Sequence, residues 1–185
     1  DKGAIQSICD RAILLNAGKL AMEGEPEAVM DYYNALLADH QNQTVKQEVT
    51  VDGKIQTISG TGEVTLTDVA LLDVAGQQIE MVAVGQPVSL RVTTTCNARV
   101  RELVVGYMIK DRLGQPVFGT NTYHHKRKLQ NLRGDETIEF NFDFQANLGP
   151  GNYSVAIALH ADDTHVTKNY EWRDHALVFN MINID

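Results

Sequence analysis

Four aromatic side chains in this chain fall outside any obvious core pattern: Phe118, Tyr123, Tyr170 and Trp172. An exposed aromatic face can stack on a pyranose ring, and planar polar groups beside it can bond the ring's hydroxyls. Tyr170 and Trp172 are two apart, so in an extended segment they point the same way. Ser154, Ala156 and Ala158 are small and alternate with Val155, Ile157 and Leu159. If Val104, Gly106, Met108 and Lys110 lie on the neighbouring strand, the shared outer face is shallow and smooth. Thr120 and Thr122 would border it, and His160 and Lys110 would give it polar edges. These residues could form a sugar-binding groove. They could equally cover a solvent face or a subunit contact, with Trp172 capping the core edge.

Other constellations are less specific. His124-His125-Lys126-Arg127-Lys128 is a basic run in an acidic chain, and it reads as a solvated loop or a contact for an anionic group. His160, Asp162, Asp163 and His165 carry ligand chemistry but meet no familiar metal spacing, so no metal is expected. Asp162 and Asp163 are adjacent and would point apart in an extended segment, which is poor geometry for a glycosidase pair. There is no Gly-x-Ser-x-Gly and no His-Glu-x-x-His, so no catalytic residue is assigned.

The elements that would position this face are strands. Beyond about residue 58 the chain alternates repeatedly: Val88 to Thr95, Ile138 to Phe144 and Tyr153 to His160 have the clearest period of two. Glu63–Asp73, Leu103–Asp111, Pro116–Thr122 and Leu177–Ile184 complete the set, with Gly- and Pro-bearing turns between them. Seven or eight short strands without intervening helices predict an all-β fold, an antiparallel immunoglobulin-like sandwich over residues 59–185. Phe140, Phe142, Phe144, Phe179, Tyr107 and Tyr153 fall in phase with core neighbours, and the Tyr153 hydroxyl could close a corner. Leu177 to Ile184 is apolar on both faces, so that strand is either central in its sheet or pairs with another chain.

Residues 1–38 read differently, as helix, strand, strand, helix. Ala4, Ile5, Ile8 and Cys9 have helical spacing, and Ala12 to Leu15 is a short apolar strand. Asn16-Ala17-Gly18-Lys19 is a turn signal. Pro26 and Glu27 open a helix whose expected apolar face is Ala28, Val29, Tyr32, Tyr33, Leu36 and Leu37. Such a segment is too small to stand alone and must pack on something. Residues 39–58 read as a polar linker and possible first strand.

Composition narrows the function classes. The 185 residues are 43% apolar and 22% charged, which fits a globular chain. No apolar run exceeds five residues, Val155 to Leu159, against roughly 20 for a membrane span. The first residues lack a basic stretch followed by an apolar one, so no signal peptide is expected. With 16 basic against 24 acidic residues the net charge is -8, which disfavours nucleic acid as a partner. Cys9 and Cys96 make no metal or disulfide framework, and free thiols are expected.

Two stretches carry a family resemblance. Ile8 to Leu15, followed by Gly18-Lys19-Leu20, Gly24, Pro26 and Val29, looks like the end of an ABC-transporter ATPase domain. Gly106-Tyr107, Ile109, Asp111, Gly114, Val117-Phe118-Gly119-Thr120-Asn121-Thr122 and Gly151-x-Tyr153 are similar to the C-terminal domain of Wzt, the ATPase subunit of O-antigen polysaccharide exporters. The resemblance implies a cytoplasmic subunit, peripheral to the inner membrane through the exporter's membrane subunits. It implies a carbohydrate-binding domain that recognises the finished non-reducing end of a lipid-linked O-antigen polysaccharide, a mannose-rich one on family grounds, and so licenses export. It also implies a homodimer, for which exchange of the C-terminal strand is the expected route. Gly18-Lys19 and Gly53-Lys54 are followed by apolar residues and lack the phosphate-loop glycine, so this stretch binds no nucleotide itself. ATP and Mg would belong to the full-length parent, and no cofactor is expected here. Trp172, Tyr170, Tyr123, His160, Lys110, Met108 and Thr120 are the candidate sugar contacts. The rival expectations are a dimerisation or docking platform without glycan binding, and an enzyme acting on the glycan end.

Overall fold

A computed structural model of the protein describes residues 2–38, 44–51, 53–161 and 168–184. The candidate ligands Asp162, Asp163 and His165 lie outside the described residues.

The N-terminal segment has the order expected: α1 (Lys2–Ile8), β1 (Ala12–Asn16), β2 (Lys19–Gly24) and α2 (Pro26–Ala38). β1 and β2 pair as a hairpin with Asn16 opposite Lys19. Its two turn residues, Ala17 at φ 49° and Gly18 at φ 74°, both take the left-handed region that a tight two-residue hairpin turn demands. Met22, Ala28 and Val29 form a small core with Ala12, Leu14 and Tyr32. Tyr33 and Leu37 do not join an apolar face: they are 38% and 53% exposed. α2 is wedged between the hairpin and the sandwich, so it buries Ala28 and Val29 on one side and Asp31 and Ala35 on another. The hairpin itself leaves Ile13, Leu15 and Leu20 exposed.

The rest is a two-sheet sandwich. Its strands are β3 (Thr44–Val49), β4 (Ile55–Gly60), β5 (Val64–Leu72), β6 (Met81–Ala83), β7 (Pro87–Cys96), β8 (Val100–Lys110), β9 (Pro116–Asn121), β10 (Leu129–Leu132), β11 (Thr137–Gln145), β12 (Gly151–His160) and β13 (Asn169–Ile182). The larger sheet runs β10-β8-β12-β13-β4-β3, with β9 added to β8 and β6 added in parallel to β13; the smaller runs β11-β7-β5. Three strands escape the sequence pattern. β6 and β10 are short, and β3 occupies part of the stretch read as linker. β3 lies at the sheet edge with almost every residue exposed, so no buried face imprints a period of two on it.

The core fills the space between the sheets. Leu71, Leu90 and Val92 from the smaller sheet meet Leu103, Val105, Ile109, Ile157 and Leu159 from the larger, all at most 2% exposed. Tyr107 packs edge-on to Phe142, ring centres 5.0 Å apart. Tyr153 stacks on Phe179, and its hydroxyl donates to the Gly149 carbonyl at 3.0 Å. That bond closes the corner entering β12. β13 is central: β12 runs along one side, and β4 and then β6 pair with the other. A central strand can be apolar on both faces, which accounts for the pattern from Leu177 onward.

Candidate functional site

The outer face of the larger sheet is built by the register of β8, β12 and β13. β12 pairs with β8 so that Ser154 faces Lys110, Ala156 faces Met108, Ala158 faces Gly106 and His160 faces Val104. This is the adjacency the small residues suggested. Trp172 lies opposite Ala158 on one side and Ser59 on the other. Paired residues project to the same side of a sheet, so the indole rises beside a floor of Gly and Ala. A trough of about 230 Å³ results, lined by Gly106, Met108, Ala156, Ala158, His160 and Trp172, with Gly119, Thr120 and Asn121 of β9 on its far bank.

Tyr170 does not share this face with Trp172. A bulge lies between Leu159 and His160, where Leu159 faces Glu171 but His160 faces Asn169. Tyr170 is the extra residue, and the bulge turns it inward. It is 2% exposed, and its hydroxyl donates to the Glu102 carbonyl at 3.0 Å. Burial, then the charges of Glu63 and Glu102, push its phenol up to about 12. Tyr170 is therefore a core residue, not a stacking platform. Tyr170→Phe should cost about 1 kcal/mol in a urea titration and leave ligand binding unchanged. A loss of binding at full stability would return Tyr170 to the site.

The remaining candidates divide. Met108 and Trp172 stand at the centre of the face. His160 lines the trough but is 3% exposed, so it can offer only an edge. Thr120 lines the trough too, although its register partner is the core residue Tyr107, and its hydroxyl lies 3.2 Å from Nε2 of His125. Thr122 is buried and accepts a hydrogen bond from the Val105 amide. Phe118 packs on Tyr107 at the sheet edge, 5.9 Å between ring centres. Tyr123 sits in the exposed turn beyond β9, with the Lys128 ammonium 5.8 Å from its ring centre, and it lines neither cavity of this face. His124, His125 and Lys126 are in the same exposed turn.

Lys110 is not an open edge of the groove. It is 5% exposed, and its ammonium donates to Asp31 Oδ1 at 2.9 Å and to Asp174 Oδ1 at 2.7 Å. One cation thus serves two buried carboxylates. Burial, then the charge of Asp174, push Asp31 up to about 7 against the pull of Lys110. Burial works to lower the Lys110 pKa, but Asp174 and Asp31 together hold it above the usual lysine range. Glu27 is also raised, by burial above all. Two carboxylates converge here, a pair other than the Asp162 and Asp163 weighed from sequence. They converge on an ammonium that binds both, so neither is placed as a free acid or base.

This cluster ties α2 to the sandwich. Gln115 Nε2 donates to the Gly3 carbonyl at 3.3 Å, and Lys54 reaches Glu25 at 3.3 Å. Gly114, at φ 74°, lies so close that a Cβ would stand 2.6 Å from Glu27 Cγ and 3.0 Å from Gln6 Nε2. The N-terminal segment, too small to stand alone, therefore packs on the rest of the chain. Between α1, α2 and the outer sheet face it leaves a second cavity of about 450 Å³. Gln6, Asn34, Leu37, Ser59, Pro116 and Asn169 line it, with Lys110 and Asp174 at its base and Met108 and Trp172 shared with the trough. Of these polar residues sequence reasoning named Lys110 and missed Gln6, Asn34, Ser59, Asn169 and Asp174. Asp31 and Lys110 are 79 positions apart, and no local spacing announces such a pairing.

Among the described residues no group of three or more His, Cys, Asp and Glu side chains is placed to hold a metal ion, and no helix is long and apolar enough to cross a membrane.

Residues 55–185 match the family model of the Wzt C-terminal domain. Among solved structures, the crystal structure of the C-terminal domain of Wzt superposes with a TM-score of 0.63 at 15% identity, covering 70% of this chain and 80% of that one. A Niemann-Pick type C2 protein from the Japanese carpenter ant is similar over 63% of this chain and 91% of its own at 8% identity, with a TM-score of 0.43. No curated protein matches.

Proposed function

The chain belongs to the Wzt C-terminal domain family, a non-catalytic part of O-antigen ABC exporters, and we propose that it recognises the non-reducing end of a lipid-linked O-antigen polysaccharide. The observation that supports this reading is the outer face itself. An indole stands beside a floor of Gly106, Ala156 and Ala158 in an open trough that a linear polymer can enter. Burying a sugar against an indole contributes stacking and apolar burial, and the edges offer amides and a hydroxyl for the ring oxygens.

In this reading residues 1–38 are the tail of the subunit's ATPase domain. The exposed Ile13, Leu15 and Leu20 of the hairpin then pack against the remainder of that domain, which would explain why so small a sheet is left apolar on its outside. The parent subunit would supply ATP and Mg, and the exporter's membrane subunits would hold it at the cytoplasmic side of the inner membrane. Two copies would act together as a homodimer. β13 already has a neighbour on each side, so an exchanged strand would replace the same pairing from the second copy.

The test is binding of the chain to O polysaccharide from its own source and to an unrelated one, with Trp172→Ala alongside. Binding to its own polymer alone, weakened at least tenfold by the substitution, is the expected result. No binding to either polymer by a folded chain would replace the proposal with a docking platform.

A further inference from the structure

The trough and the cavity beneath the N-terminal segment are not separate features. They meet at Met108 and Trp172, which belong to both linings. The trough is the more open of the two, and the cavity under α1 and α2 is the larger and more enclosed. An open trough suits the run of a polymer, and an enclosed pocket suits its end. At about 450 Å³ the cavity lies within the roughly 300–1,000 Å³ range of small-molecule sites.

Its chemistry is that of an uncharged, hydroxyl-rich ring. The apolar wall is Trp172, Met108 and Leu37, and the planar polar groups are the amides of Gln6, Asn34 and Asn169. Four charged residues line it: Lys2 on the exposed side of α1, and Lys110, Asp31 and Asp174, which pair with one another. The last three are at most 6% exposed and engaged with one another, so they leave no open charge for a ligand to pair with. What is unusual is the origin of the walls. Gln6 and Asn34 come from α1 and α2, ahead of the first strand of the sandwich at Thr44, so the sheet alone supplies neither.

From this geometry we infer that the cavity holds the terminal sugar of the polysaccharide, and that the N-terminal segment completes the subsite. The inference rests on the proposed glycan reading and adds the place of the chain end to it. The terminal residue lies between α2 and the Trp172 indole, and the next residues run out along the trough. A bound end then bridges the N-terminal segment and the sandwich. Ligand binding and docking of α2 on the sheet are therefore linked, and each strengthens the other by the same factor.

Two measurements on the full chain test this. Asn34→Trp fills the cavity from an exposed position of α2 and leaves the trough intact. It should weaken binding of the cognate polysaccharide at least tenfold, with an unchanged melting temperature. On the unsubstituted chain, saturating polysaccharide should slow amide hydrogen exchange across α2 by a similar factor. Cognate binding that survives Asn34→Trp, or that leaves α2 exchange unchanged, overturns the subsite while Trp172→Ala still reports on the trough. If the unsubstituted chain binds no polysaccharide, the glycan reading fails and the subsite with it.

Discussion

Lys110→Ala is expected to cost about 3–5 kcal/mol, because it leaves two buried carboxylates with no cation. Asp31 and Asp174 are 6% and 3% exposed, and both direct Oδ1 at the Lys110 ammonium. Water cannot replace that ammonium without opening the seam. Asp31 lies on α2 and the other two residues lie on β8 and β13, so the first thing to open is the docking of α2 on the sheet. The urea midpoint of the chain should fall, and amide exchange in α2 should accelerate more than exchange in β7. Replacing the whole cluster is a different experiment. Asp31→Leu, Lys110→Met and Asp174→Leu together remove every charge and should leave stability near that of the unsubstituted chain. A single Lys110→Ala change within about 0.5 kcal/mol of the starting stability would mean that the cluster is solvated and the seam open.

The contrast between those variants shows why part of this molecule is readable in its sequence and part is not. Strands with one buried face write their period into the chain: β7 alternates Val88, Leu90, Val92 inward with Ser89, Arg91, Thr93 outward, and its burial follows residue by residue. The pairing of β12 with β8 was equally legible, because small residues on one strand demand a neighbour that can share a shallow face. The Tyr153 corner was legible by analogy with immunoglobulin-like sandwiches, and its hydroxyl does donate to the Gly149 carbonyl. β3 left no such mark, since an edge strand exposed on nearly all sides has no reason to alternate. Tyr170 was misread for a more specific reason. A period of two holds only while the ladder is regular, and a single inserted residue opposite His160 reverses the side on which every later residue falls. The Asp31–Lys110–Asp174 cluster lies beyond any such reading. Each residue alone looks like a surface charge, and only the tertiary packing of α2 on the sheet makes the three meet.

The same cluster predicts that the chain loses stability as pH rises from about 4 to 7. Asp31 moves from an ordinary 3.8 to about 7 on folding, through burial first and the Asp174 charge second. Between those values the folded chain holds a proton that the unfolded chain has released. Unfolding is then favoured by rising pH, at up to roughly 1.4 kcal/mol per pH unit for one proton. The contribution is complete below 3.8 and gone above about 7. Glu27 and Glu171 are also raised by burial and act in the same direction. Glu63 acts in the opposite sense: burial works to raise it, but hydrogen bonds from Thr61 and Lys168 hold it below 4.5. Its contribution is lost only in more acidic solution, outside this window. Lys110, held above 10.5, loses its contribution only in strongly alkaline solution. The urea midpoint should therefore fall steadily between pH 5 and pH 7.5. Asp31→Asn removes the titrating carboxyl, keeps a hydrogen-bond acceptor for Lys110 and leaves one carboxylate for one ammonium, so it should flatten the slope and match or exceed the parent at pH 7.5. A midpoint that stays level or rises across this range, or a slope unchanged by Asp31→Asn, would show that the buried cluster takes up no proton. The physical cause is stoichiometric. A seam that buries more carboxylate than ammonium must either bind a proton or pay an electrostatic penalty, and Asp31 is where the proton is expected to go as pH falls below about 7.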